Sequence, residues 1–254
     1  MRKSIILSAA TILSLVFIAS SCKEDPKPQP SEDGTLKVSI QLYNGANAMN
    51  WDDVIAVDNV NEYRMEFLKF YLSNIYAVNT SGSKAMLKDV VLADASVSDG
   101  MTFEFKLKKG SYDKLELGVG LDSLLNASDP IQFSNDHPLS AAQAMYWSWA
   151  TKYRFTRIDG RANENGSIGG ADDILIAYHP GADEFYRTIQ LVNPFTISVG
   201  STTNFNVKLD VAAWFNGPGG TIDIPTEPQS HTEPSDYDIA VKFTNNFAAA
   251  FSPM

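Results

Sequence analysis

From Leu36 the chain places an apolar side chain at every second position: Leu36, Val38, Ile40 and Leu42, with polar residues between them. That period belongs to a strand with one buried face, because successive side chains of a strand point to opposite sides. Met101 to Leu107 (MTFEFKL) alternates again, and Lys109-Gly110 marks a turn before Tyr112 to Val119 resumes the pattern. Thr188 to Val192, Phe195 to Val199 and Phe205 to Val211 repeat it, separated by Asn193-Pro194 and Gly200-Ser201. Short alternating strands with turn signals between them predict an all-β domain, an antiparallel sandwich or barrel. Two short helices are expected within it. One is Ser140 to Trp149, opened by an N-cap serine after Pro138-Leu139, and the other is Asn245 to Phe251. No internal repeat and no second-domain boundary is visible.

The amino terminus has a different character. Arg2 and Lys3 precede an apolar run from Ile5 to Ile18, followed by the small residues Ala19-Ser20-Ser21 and then Cys22. The run is shorter than the ~20 residues of a bilayer-spanning helix and carries the flanks of a signal peptide. Cys22 is the only cysteine of the 254 residues, and it falls at the cleavage point. The preceding residues resemble a lipobox, with Ala19 where Leu is usual. Residues 1–21 are therefore expected to be a lipoprotein signal peptide, and Cys22 the site of lipid attachment. The anchor would be lipid rather than a helix. Residues 22–34 (CKEDPKPQPSEDG) form a proline-rich, charged tether. Lys23-Glu24-Asp25 resembles a surface-export signal of some Gram-negative lipoproteins. An outer-membrane protein facing either the periplasm or the exterior is expected.

With Cys22 acylated, no disulfide can brace the domain at 35–254, which must fold on its own core or with a metal. A chain of that size buries enough surface to do so, and a composition 44% hydrophobic and 11% aromatic supplies the material. The formal charge is −10, or −12 once Arg2 and Lys3 are removed (−10 − 2). Such a field argues against nucleic acid as a partner.

Patterns for common chemistries are missing. There is no Gly-rich phosphate loop, no serine nucleophile elbow and no HExxH. Acidic residues are plentiful but in no readable acid–base pair, so a glycosidase has no support. Arg161 to Asp172 (RANENGSIGGAD) approaches a calcium loop, yet Arg161 stands at the first ligand position, where a carboxylate is needed. An ordinary polar loop is the expectation.

The three histidines are His137, His179 and His231. His179 ends the apolar run Ile174 to Tyr178 and precedes Pro180-Gly181, a strand-end position suited to face a pocket. His137 precedes Pro138 and lies close in sequence to Met145-Tyr146-Trp147-Ser148-Trp149, which holds two of the four tryptophans. Aromatic core packing accounts for such a run when it stands alone.

It stands within an ordered series. Phe70-Tyr71-Leu72-Ser73-Asn74-Ile75 is followed by Gly118-Val119-Gly120-Leu121-Asp122, His137-Pro138-Leu139, the Trp147 segment, Tyr153-Arg154-Phe155 and Ile158-Asp159-Gly160. Tyr178-His179-Pro180-Gly181, Leu209-Asp210-Val211 and Asn245-Asn246-Phe247-Ala248 complete it. In this order the set resembles the MbnP-like family of copper-binding envelope proteins, over Leu36 to Phe251. The resemblance implies a β-sandwich and extracytoplasmic copper binding, and with no acid–base constellation to read, no enzymatic activity is expected. It also implies a dihaem cytochrome c peroxidase-like partner that oxidises one tryptophan to kynurenine, turning an indole into a ligand-capable arylamine. By motif match, His179 is the ligand candidate, Trp147 or Trp149 is the oxidation candidate with Trp147 preferred, and Met145 lies beside them.

Two departures matter. Members commonly carry a histidine near the end of the first strand, where this chain reads Gln41-Leu42-Tyr43-Asn44, and Ala144 replaces the usual Gly before Met145. A two-histidine site would therefore draw on His137 or His231, and His137 is expected to face one pocket with His179. The alternative is a metal-free member of the same fold, a binding or interaction module at the cell surface.

Overall fold

The computed structural model describes residues 32–57, 60–147 and 152–254. Cys22, the tether up to Ser31, and Trp149 lie outside the described residues. The principal strands are β1 (Asp33–Asn44), β2 (Val60–Asn79), β3 (Lys84–Asp94), β4 (Thr102–Lys108), β5 (Gly110–Val119), β6 (Thr156–Asn163), β7 (Ile174–Tyr178), β8 (Arg187–Ile197), β9 (Thr202–Asp210), β10 (Gln229–Ser230) and β11 (Phe251–Pro253).

They form two main sheets. The smaller runs β11-β9-β1-β4, and the larger runs β8-β5-β2-β6-β7-β10, with β3 on the other edge of β2. Leu36, Val38, Ile40, Phe205, Val207 and Leu209 from the first share one buried cluster with Leu68, Phe70, Leu115, Leu117, Ile158, Ile176 and Tyr178 from the second. The alternating residues of the sequence are thus the facing layers of a β-sandwich. Pairing is mixed rather than purely antiparallel: β1 runs parallel to β9, and β7 parallel to β10.

β2 organises the larger sheet. Its first half pairs with β6 and its second half with β5 on the same edge. The two neighbours part at Tyr71, whose N–H donates to Phe155 O and whose carbonyl accepts from Gly120 N–H, both at 2.9 Å. Gly120 stands there at φ +94°, and a Cβ would meet the Phe155 ring at 2.5 Å. The space is too close for any other residue. Beyond this fork a second, smaller core gathers Tyr71, Leu121, Leu139, Met145, Tyr153 and Phe155.

Several local expectations are corrected. Asn193-Pro194 does not end a strand: β8 continues through it, with the register shifting between Val192 and Phe195. Proline is tolerated at such an irregularity because no ladder donor is required there. The helix expected over Ser140 to Trp149 is a single 3-10 turn, Ala141–Gln143. Ser140 does cap it, accepting from Ala142 N–H, but Ala144 turns left-handed at φ 57° and ends it. The C-terminal helix runs Tyr237–Ala249, longer than expected, and Phe251 opens β11 instead. Its Asn246 is fully buried, donates to Trp214 O and Gly220 O, and accepts from Gly219 N–H. The calcium-like segment begins in the last residues of β6 and continues as a polar loop toward β7, with Arg161 paired to Glu66 at 2.8 Å and Asn163 bonded to Asp173.

Candidate metal centre

Parallel register between two chain segments brings two histidines together. In β10 and β7, Gln229 stands opposite Ala177 and Ser230 opposite Tyr178. The next residue on each is a histidine, and His179 N–H donates to Ser230 O at 2.8 Å. His179 and His231 accordingly lie side by side, ring centroids 5.1 Å apart and planes at 78°.

β6 flanks β7 on its other side, with Ile158 opposite Tyr178 and Asp159 opposite Ala177. Ile158 and Tyr178 point inward and are fully buried. By alternation, Arg157, Asp159 and His179 share the outward face. There Asp159 Oδ1 lies 2.6 Å from His179 Nε2, and Oδ2 accepts from Arg157 Nε at 2.8 Å.

These contacts set the proton positions. Burial lowers the pKa of His179 below the ordinary value of 6.5, against the opposing pull of Asp159, so the imidazole is neutral at pH 7. Burial also opposes the charge on Asp159, but the contacts with His179 and Arg157 prevail and hold it below the usual carboxylate range. An ionised carboxylate can only accept, so the single imidazole proton sits on Nε2 and Nδ1 keeps a bare lone pair. That Nδ1 is buried with no hydrogen-bond partner among the described residues. An orphaned buried acceptor costs ~1–3 kcal/mol. On an imidazole oriented by a carboxylate, it is the position a metal ion takes.

His231 is held from below. Its backbone N–H donates to Asp236 Oδ2 at 2.9 Å, and Oδ1 of the same carboxylate accepts from Glu233 N–H at 2.9 Å and from Ser230 Oγ at 3.2 Å. Its ring Nδ1 is 3.9 Å from Asp236, too far for a hydrogen bond.

The third component arrives on a segment paired antiparallel with the one around Tyr153. Trp147 N–H donates to Lys152 O at 2.7 Å and Arg154 N–H to Met145 O at 2.8 Å. The returning arm docks on the end of β7 through an Arg154–Gly181 bridge and a bond from Phe155 N–H to Pro180 O. This brings Trp147 against both imidazoles, 5.4 Å from His231 at 26° and 5.9 Å from His179 at 79°. Arg154 Cζ lies 4.7 Å from the indole centroid.

Of the residues singled out from sequence, His179 and Trp147 meet here. His137 does not join them. Its ring stacks on Phe133 at 4.2 Å, and its Nδ1 accepts from Leu139 N–H at 3.1 Å, so the histidine caps its own turn. His231, the other candidate substitute, takes the place beside His179. Met145 is fully buried in the smaller core rather than aligned with the imidazoles. Asp159 stands in the sequence only as part of the motif Ile158-Asp159-Gly160, with no role assigned to its carboxylate.

Among the described residues no group of three or more His, Cys, Asp or Glu side chains gathers as a metal cluster. The centre rests on two imidazoles with the aromatic ring beside them. Imidazole nitrogens bind metals at about 2.0–2.1 Å, which keeps two rings on one ion roughly 4–6 Å apart between centroids. The 5.1 Å separation fits.

Among solved structures, the chain resembles MbnP from Methylosinus trichosporium, with a TM-score of 0.52 and 16% identity, covering 88% of this chain and 99% of that one. At that identity the likeness is one of fold. No curated protein matches by sequence. The sequence profile of the MbnP family matches residues 33–233, which contain Trp147, Asp159, His179 and His231. The chain belongs to the MbnP family.

Proposed function

We propose that this protein is a lipid-anchored, extracytoplasmic copper-binding protein, with His179 and His231 as its imidazole ligands and Trp147 at the edge of the site. The observation that carries the reading is the buried, unpartnered Nδ1 of His179, fixed as a bare lone pair by Asp159 and set beside a second imidazole. Neutral imidazole nitrogens suit copper. Copper would supply a redox-active ion, and the chain's own part is to hold, orient and shield it. The role is binding, not catalysis.

Oxidation of Trp147 to kynurenine by a dihaem cytochrome c peroxidase-like partner would add an arylamine nitrogen and a carbonyl beside the pair, where indole offers only an N–H donor. Lipid on Cys22 and the tether behind it would hold the domain at the outer membrane. Cys22→Ser should release the protein from membranes. A serine variant that still sediments with membranes after a high-salt wash would refute lipid anchoring.

Metal analysis and intact mass of protein from its native host test the centre directly. Stoichiometric copper is expected in the parent and in His137→Ala, and its loss in His179→Ala and His231→Ala. Copper retained by both of the latter would make this a metal-free interaction module or place its site elsewhere.

A further inference from the structure

The sequence holds three Asn-Gly pairs, Asn44-Gly45, Asn165-Gly166 and Asn216-Gly217, and the fold treats each differently. Such a pair is prone to lose ammonia, because glycine has no Cβ to shield the backbone nitrogen that attacks the asparagine side chain. The attack needs an N–H free to give up its proton and room for a five-membered ring to close. At Gly45 the room exists, with no atom within 4 Å of a Cβ position, but the N–H donates to Asp210 Oδ1 at 3.0 Å. A carboxylate on that hydrogen opposes its removal. The Asn44 amide is tied as well, donating to Ala56 O at 3.4 Å. At Gly217 the room is missing. The pair lies in a ladder with Gly220-Thr221, Asn216 Oδ1 accepts from Thr221 Oγ1 at 3.2 Å, and a Cβ on Gly217 would meet Asn246 Oδ1 at 2.6 Å and Ala213 O at 2.8 Å.

Asn165-Gly166 meets both conditions. Both residues are exposed in the loop between β6 and β7, and no atom lies within 4 Å of a Cβ position on Gly166. Asn165 N–H donates to Asn163 Oδ1 and Ile168 N–H to Glu62 Oε2, each at 2.7 Å, so the loop is held on both sides of the pair. Between those anchors, Gly166 N–H and the Asn165 side chain make no hydrogen bond among the described residues.

We propose that Asn165 is a site of spontaneous covalent modification, converting in the folded protein to isoaspartate and aspartate through a succinimide. The Gly166 nitrogen gives its proton to solvent and bonds to Asn165 Cγ. The Cγ–Nδ2 bond breaks, and the amide nitrogen takes up a proton from solvent and leaves as ammonia. Water then adds to one of the two ring carbonyls. Addition at Cγ gives aspartate, and addition at the backbone carbonyl leaves the main chain running through Cγ as isoaspartate. Water enters, ammonia leaves, and nothing is oxidised or reduced. A carboxylate replaces the amide in a loop that already carries Glu164, Asp172 and Asp173. Ala162 faces Ile174 beside this loop, whereas Ile158 faces Tyr178 at the far end of the same two strands, so the change is remote from Asp159 and His179.

The full chain, folded and in denaturant, is held at mildly alkaline pH, which favours loss of the N–H proton, and sampled over time. Peptide mapping reads the gain of one mass unit at each Asn-Gly pair, and an isoaspartyl methyltransferase labels the isoaspartate. The denatured chain sets the intrinsic rate of each pair. Folding is expected to slow Asn165 by less than about tenfold and Asn44 and Asn216 by more than about tenfold, since those two react only after local opening. Asn165→Gln should remove the isoaspartate formed by the folded chain, because the longer side chain closes a six-membered ring more slowly. If folding protects Asn165 as much as the other two pairs, or leaves either of them as reactive as Asn165, the proposal is overturned. Isoaspartate that persists in folded Asn165→Gln would overturn it equally.

Discussion

Asp159→Asn is the substitution that most directly interrogates the centre. The side chain keeps its shape and loses its charge, and its two ends stop being equivalent. In the parent, one oxygen accepts from His179 Nε2 and the other from Arg157 Nε. Arginine can only donate, so the amide oxygen of asparagine is drawn toward Arg157 and its NH2 group toward His179. An NH2 facing Nε2 requires that nitrogen to accept, which moves the imidazole proton to Nδ1. The atom left bare for a ligand would then carry hydrogen. The opposite amide orientation keeps the tautomer but sets two donors face to face at Arg157. Either way a charge-assisted bond worth ~1.5–3 kcal/mol becomes a neutral one worth ~0.5–1.5 kcal/mol or is lost. Loss of an orienting partner typically lowers metal affinity 10–100-fold, about 1.4–2.7 kcal/mol. Chelator competition measures the affinity, and nitrogen-15 shifts of His179 report the tautomer. Copper affinity within threefold of the parent, with the Nε2–H tautomer retained, would refute the orienting role of Asp159.

Two further outcomes follow from the same geometry. Because the folded-state pKa of His179 lies below 6.5, the unfolded chain takes up its proton first as pH falls, and stability declines below about 6.5. The contribution of Asp159, whose folded pKa is depressed, is present above ~4 and is lost only below that. In chelator, the unfolding midpoint should drop between about pH 7.5 and 5.5 in the parent and less in His179→Gln; parallel profiles would count against a buried neutral imidazole. Phe247 is 1% exposed and its ring meets Phe70, Trp214, Phe243 and Phe251, so Phe247→Ala should cost ~3–5 kcal/mol in denaturant unfolding. A loss below ~1 kcal/mol would mean the helix is not part of the core.

The sandwich was legible because Leu36 to Leu42, Phe103 to Leu107 and Phe205 to Leu209 each alternate, and period two has one reading on a buried face. The helix over Ser140 to Trp149 was misread for a physical reason. Ser140 is a true cap, but Tyr146 and Trp147 take extended backbone from their pairing with Tyr153 and Lys152, and tertiary pairing overrides a local start signal. His179 was visible as the end of an apolar strand. Its partner was not, because β10 has only two residues and no period can be read from two. His137 is suggested by its nearness in sequence to Trp147, while the register of β7 and β10 sets His231, not His137, beside His179.

The parallel pairing of the first strand also bears on how the molecule comes together in time. Thr35 faces Thr202 and Tyr43 faces Asp210, so β1, the earliest strand, must wait for one of the last before its inner edge is satisfied. Its other neighbour, β4, is itself some seventy residues downstream, with Asp33 facing Lys108. Closing loops of that length precedes any reward from the contacts they enable, which places such topologies among slow folders, in the range of milliseconds to seconds. Until β9 arrives, β1 presents Leu36, Val38, Ile40 and Leu42 on a strand with an open edge, a template for pairing with another chain. A protein emerging amino terminus first would carry that exposed strand through most of its own synthesis, and aggregation during refolding should track the lifetime of the unpaired β1.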